Sequence, residues 1–140
     1  MEKRFKLGMA VLFIVSFVGT AFVATNPPDQ STEWVAPASA KATKNPLAGD
    51  KKSIKRGQAI YKTRCVICHG ATGIGDGPGS KALNPKPANH TSEKVQKQTD
   101  GEIFWKISEG RGAMIGWGKT KILKEQDMWD LVNYVRTLKK

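Results

Sequence analysis

Tyr61-Lys62-Thr63-Arg64-Cys65-Val66-Ile67-Cys68-His69-Gly70 is the stretch from which the rest of this 140-residue chain can be read. Cys65 and Cys68 are its two cysteines, and His69 follows them directly. Two thiols separated by two residues on one helical turn can add across the two vinyl groups of a porphyrin. The histidine after them then lies under the ring, where its imidazole can bind iron. C-x-x-C-H is the attachment pattern of a c-type haem, with Cys65 and Cys68 as thioether donors and His69 as proximal iron ligand. Other uses of the pair ask for a different setting. A thioredoxin-like dithiol needs βαβ surroundings, and no strand-rich pattern flanks this one. Zinc needs four ligands, and adjacent Cys68 and His69, with Cys65 and His90, make an awkward set on one small ion. A disulfide across two residues would close a small, strained loop.

Upstream of the motif, Ile54, Gly57, Ile60 and Tyr61 share one face at three-to-four spacing. That predicts a helix from Ser53 towards Tyr61, with Ser53 as N-cap and Gly57 letting another helix come close. Further back, residues 25–50 hold Pro27, Pro28, Pro37 and Pro46 among Ser, Thr, Ala and Lys. With no helical or strand period, the segment reads as an extended, mobile linker, and Trp34 as an aromatic that docks on the domain or on a partner. The chain starts with Lys3, Arg4 and Lys6 before an apolar run over residues 7–24. A positive flank and an apolar stretch form an export signal or an N-terminal membrane-anchoring helix, with a cleavage position after Ala21. Either way the remainder is expected outside the cytoplasm. The organisation expected is thus 1–24 signal or anchor, 25–50 linker and 51–140 domain.

Downstream, Ala71-Thr72-Gly73-Ile74-Gly75-Asp76-Gly77-Pro78-Gly79 lacks the Gly-Lys-Ser/Thr end of a phosphate loop and reads as an irregular loop along the cofactor edge. A ligating histidine usually donates its second N–H to a backbone carbonyl. In Leu83-Asn84-Pro85-Lys86-Pro87-Ala88-Asn89-His90, Pro87 is the expected source, with Pro85 as alternative. Thr99-Asp100-Gly101-Glu102 is a capping box, opening a helix that turns Ile103, Phe104 and Ile107 inward and stops near Gly110. A last helix from about Lys124 carries the apolar stripe Met128, Leu131, Val132, Val135 and Leu138. The stripe is expected to pack across the Gly57–Tyr61 face of the first helix.

Iron needs a sixth ligand. Met1 and Met9 lie in the export segment and Met128 on the core stripe. Met114, in the loop Gly110-Arg111-Gly112-Ala113-Met114-Ile115-Gly116-Trp117-Gly118, is the expected ligand. His90 is its rival, although an exposed side chain near a turn is the preferred reading of it.

These motifs, together with Asp127-x-Trp129-x-Leu131-Val132-x-Tyr134-Val135-Arg136, resemble a class I c-type cytochrome, a small single-haem cytochrome c of a bacterial respiratory chain. The resemblance covers residues 53–140, with Ile115 where proline commonly follows the axial methionine. It implies an all-α domain of three to four helices around one covalent haem c, its iron held by His69 and Met114. It also implies Arg111 and Trp117 as candidates for hydrogen bonds to the haem propionates. The activity it implies is one-electron transfer by a carrier, not an enzyme, since both axial positions are filled. The alternative is a haem-bearing electron-entry subunit of a larger membrane oxidoreductase. The formal net charge is +11, with lysines clustered over residues 41–62. A basic face suits redox protein partners with an acidic docking surface. No nucleic-acid motif is present. Location is expected on the periplasmic side of the cytoplasmic membrane, with membrane association through residues 7–24.

Overall fold

The structure, a computed structural model, describes residues 33–140. The expected apolar helix over residues 7–24 and the cleavage position after Ala21 lie outside the described residues. The chain runs through α1 (Ala38–Ala42), α2 (Lys51–Arg64), α3 (Val66–His69), a 3₁₀ turn (Pro78–Ala82), α4 (Glu93–Gln96), α5 (Asp100–Glu109) and α6 (Glu125–Thr137). The domain is all-α, as the resemblance implies. Among the described residues there is no strand, only an isolated bridge between Arg111 and Met114. None of the described helices is long and apolar enough to cross a membrane.

The fold turns on the crossing of α2 and α6. Gly57 is the point of contact, because a Cβ there would collide with the backbone carbonyl of Asp130. The missing side chain lets the two backbones touch, and the rings of Tyr61 and Tyr134 pack at a tilt beside the crossing with centroids 5.0 Å apart. Residues Met128 to Val135 are all buried, so α6 is enclosed on nearly every side. Trp129 lies face to face with Phe104 of α5 at 4.0 Å, which adds the third main helix to the core.

Two polar residues sit inside that apolar run. Asp130 is fully buried and accepts from Ser53 Oγ at 2.6 Å and from the Arg56 guanidinium at 2.7 and 2.8 Å. Asn133 donates to Ser53 Oγ and to the Leu47 carbonyl, both at 2.7 Å. Ser53 is therefore no N-cap. Asp50 has that role, accepting from the Lys52 N–H at 2.7 Å, and the helix starts two residues earlier than expected. A short hydroxyl near a helix start has the look of a cap in the sequence, and the carboxylate it serves is 77 residues away.

The expectation of an extended, mobile linker to residue 50 is also corrected. From Glu33 onward the segment forms a strap against α5 and α6. Ala36 and Ala40 are buried, and Gly101 admits the Ala40 carbonyl where a Cβ would block it. Asn45 donates to Asp100 Oδ2 at 2.8 Å and Asn133 Oδ1 at 2.7 Å. Trp34 docks on Trp105, with ring centroids 6.0 Å apart. Five residues of helix leave no period to read, and tertiary contacts hold the strap. The capping box of α5 is formed as expected: Thr99 Oγ1 accepts the Glu102 N–H, and the Glu102 carboxylate accepts the Thr99 N–H.

Candidate functional site

Cys65 ends α2 and caps α3, so the motif occupies one tight turn. The Cys68 and His69 N–H groups both donate to the Cys65 carbonyl, at 3.1 and 2.8 Å. Neither cysteine is in a disulfide, and both are partly exposed. Burial, followed by the neighbouring Cys68, pushes the Cys65 thiol up to about 12, so it remains a thiol at neutral pH. Among the described residues no three His, Cys, Asp or Glu side chains converge as a metal cluster.

The glycine-rich loop folds back onto this turn. Gly77 passes so close to the Val66 and Ile67 carbonyls that a Cβ would strike both. Its N–H donates to the Cys68 carbonyl at 3.1 Å, and the Gly75 N–H to the His69 carbonyl at 2.9 Å. The loop takes up the carbonyls left open at the end of α3, where a four-residue helix cannot do so itself.

His69 is buried, and its Nδ1 lies 3.2 Å from the Ala88 carbonyl oxygen. The expected Pro87 carbonyl, and its alternative Pro85, are thereby corrected. Pro87 instead turns its carbonyl towards Gly75, where a Cβ would lie 2.5 Å from the oxygen. Nothing in the local sequence separates adjacent carbonyls of an extended run; the loop that packs on it does. A carbonyl can only accept, so Nδ1 carries the proton and Nε2 keeps its lone pair. Burial lowers the pKa of His69, partly offset by the Ala88 carbonyl, and keeps the imidazole neutral.

Two unpaired thiols two residues apart, and a neutral imidazole whose Nδ1–H is occupied, form the donor set that a covalent haem requires. The residues fit the group. Cys65 and Cys68 would hold it by thioethers, and His69 by its Nε2.

His90 is not the exposed side chain expected. Its ring stacks on His69, with centroids 4.1 Å apart and planes 19° from parallel, and packs edge-on against Tyr61. Burial, followed by the proximity of His69, pushes its pKa down to about 3, so both rings are neutral. Two imidazoles stacked face to face cannot ligate one iron from opposite sides, so the rival reading of His90 does not match this arrangement. Tyr61 ties the assembly together: its hydroxyl donates to the Gly70 carbonyl at 3.1 Å and lies 3.4 Å from His90 Nδ1. Sequence reasoning placed Tyr61 only as a core face and missed Ala88 and the His90 stack.

Met114 lies in the loop between α5 and α6, partly buried against the same core cluster as Cys65 and Val66. Its N–H donates to the Arg111 carbonyl at 3.0 Å, and its carbonyl accepts from the Arg111 N–H at 3.1 Å, closing a tight turn. Arg111 lies over the Trp34 ring, 5.2 Å from its centroid. Trp117 is buried in the core, and its N–H donates to the Ile107 carbonyl at 3.0 Å.

The family model for cytochrome c matches residues 54–139. A chain of the Kuenenia stuttgartiensis reducing HAO-like protein complex Kustc0457/Kustc0458 is similar in structure. It has a TM-score of 0.60 and 24% identity, over 79% of this chain and 53% of that chain. At that identity the likeness is one of fold, and this chain aligns with about half of that one's length. The KustC0563 c-type cytochrome is 28% identical over 60% of this chain and 98% of its own, with a TM-score of 0.49. No curated protein matches the chain.

Proposed function

The chain belongs to the cytochrome c family, and from that premise we propose that it is a single-haem carrier passing one electron at a time between redox proteins outside the cytoplasm. Covalent haem c and haem-based electron transfer come with the family. The observation that supports the reading best is the motif turn itself: two free thiols, with His69 neutral and its Nδ1 on the Ala88 carbonyl. When bound, the haem supplies the Fe(III)/Fe(II) couple. The chain's own residues then do the rest. Cys65 and Cys68 prevent loss of the group, and the Ala88 carbonyl fixes the tautomer of His69. Met114 is the proposed sixth ligand, and Arg111 and Trp117 are the proposed contacts of the propionates. With both axial positions filled, the protein would be a carrier and no enzyme.

Partner choice would rest on charge. Outside residues 1–24 the chain holds 20 basic and 11 acidic residues, a net +9. Lys51, Lys52, Lys55 and Lys62 of α2 are exposed, as are Lys41 and Lys44 of the strap. That face suits a partner with an acidic docking surface. Residues 7–24 would direct export and, if retained, tether the carrier to the periplasmic side of the membrane.

The test is the reduced-minus-oxidised visible spectrum of the full chain, made in a host able to attach haem, with a pyridine haemochrome assay. A c-type spectrum at one covalent haem per chain is expected. A colourless protein from such a host would sink the proposal.

A further inference from the structure

We infer that His90 is a positioning residue for the iron ligand, setting the plane of the His69 imidazole by stacking on it; the inference rests on the reading of His69 as that ligand. The His69 Nδ1 contact to the Ala88 carbonyl, at 3.2 Å, holds one edge of the ring. A single contact along one edge restrains the turn of the ring about its Cβ–Cγ bond only loosely. The His90 ring takes the remaining freedom, lying 4.1 Å away and 19° from parallel against its face. Edge and face together define a plane.

A ring can set another's orientation only if its own is fixed, and His90 is held from several directions. Its backbone N–H donates to the Gly73 carbonyl at 2.7 Å, and its backbone carbonyl accepts from Gln96 Nε2 at 2.7 Å. The same Gln96 Nε2 donates to the Val135 carbonyl of α6 at 2.9 Å, which connects the segment to the central helix crossing. Gly73, at a φ of +80°, is held so close that a Cβ there would lie 3.3 Å from the His90 Cβ. Behind the ring, Tyr61 packs edge-on at 5.9 Å, with its hydroxyl 3.4 Å from Nδ1. That hydroxyl donates to the Gly70 carbonyl, so its oxygen is left to accept from His90 Nδ1–H. Tyr61 thus refers His90 to Gly70, the residue after His69.

The plane of an axial imidazole governs which iron orbitals it overlaps, and so how unpaired spin is spread over the ring in the ferric state. The experiment uses the full-length haem protein as wild type, His90→Phe and His90→Leu. Covalent haem is checked by pyridine haemochrome, and the haem methyl proton shifts are then recorded in the ferric state. His90→Phe keeps an aromatic face and is expected to retain the wild-type order of methyl resonances. His90→Leu keeps bulk without a stacking ring and is expected to reorder them. A wild-type pattern in His90→Leu overturns the inference. A disturbed pattern in His90→Phe equal to that of His90→Leu overturns it as well, because stacking is then not the agent. If His90→Leu does not fold, His90→Gln takes its place against the same two outcomes. A wild-type protein with attached haem but without a low-spin, histidine-ligated ferric spectrum would refute the reading of His69 itself, which separates the two failures.

Discussion

Gly57→Ala puts the central helix crossing to a test in which two physical rules predict opposite signs. In a helix interior alanine is favoured over glycine by about 1 kcal/mol, so propensity alone predicts a more stable protein. The structure predicts the reverse. A Cβ on Gly57 would lie 2.5 Å from the Asp130 carbonyl carbon and closer still to its oxygen. Ordinary contact begins at 3.4 Å, so α2 and α6 must part by at least about 0.9 Å to clear the carbon, and by more to clear the oxygen. A gap of that size forfeits a quarter to a half of the dispersion energy of each atom pair along the seam, the Tyr61–Tyr134 pair included. It also lengthens the bonds of Asp130 to Ser53 and Arg56, now 2.6 to 2.8 Å. Overpacking typically costs about 1–3 kcal/mol, and each weakened hydrogen bond about 1 kcal/mol. After the propensity gain is subtracted, the net loss is about 3 kcal/mol. For a domain of this size that lowers Tm by about 12 °C or more. Thermal unfolding of the haem-loaded protein, followed by circular dichroism, measures it. Gly49→Ala is the control, since it has a φ of +77° and nothing within 4 Å. It should lose only about 1–2 kcal/mol from backbone strain. A Tm for Gly57→Ala at or above that of the wild type would refute the close crossing and the reasoning built on it.

Asp130→Ala leaves the buried Ser53 hydroxyl without its acceptor and should cost about 3 kcal/mol, seen as a lower urea midpoint at unchanged slope; Arg56, partly exposed, returns to water. Trp34→Ala removes the Trp105 contact and two cation–π contacts, from Lys106 and Arg111, about 2 kcal/mol together. It should expose residues 33–47 to limited proteolysis, and unchanged resistance would speak against the strap. Met114→Leu should abolish a methionine-dependent absorption band at the red end of the visible spectrum, and survival of that band would exclude Met114 as ligand. The rate of electron exchange with an acidic redox protein should fall as salt is raised, and indifference to ionic strength would exclude steering by the basic face.

What could be read from the sequence is what neighbouring residues decide among themselves. The C-x-x-C-H turn, the capping box at Thr99 and Glu102, and the apolar stripe of α6 are all patterns within a few turns of chain, and the structure contains each of them. The partnership of α6 with the Gly57–Tyr61 face was legible too, because a lone glycine on an apolar helical face leaves room for another backbone. The rest depends on residues far apart in the chain. Asp130 and Asn133 look like ordinary polar positions on an amphipathic helix until Ser53 and Arg56, more than 70 residues away, are placed against them. Residues 33–50 look like a linker because alanine, proline and asparagine have little local preference; residues of α5 and α6, among them Asp100, Gly101, Trp105 and Asn133, give them somewhere to pack. Ala88 and Pro87 are adjacent in an extended run, and the fold of the glycine loop decides which carbonyl meets His69. His90, read in isolation, is a polar residue at a turn; the tertiary structure lays its ring on that of His69, because burying two neutral imidazoles face to face satisfies both packing and hydrogen bonding where no local pattern records the contact.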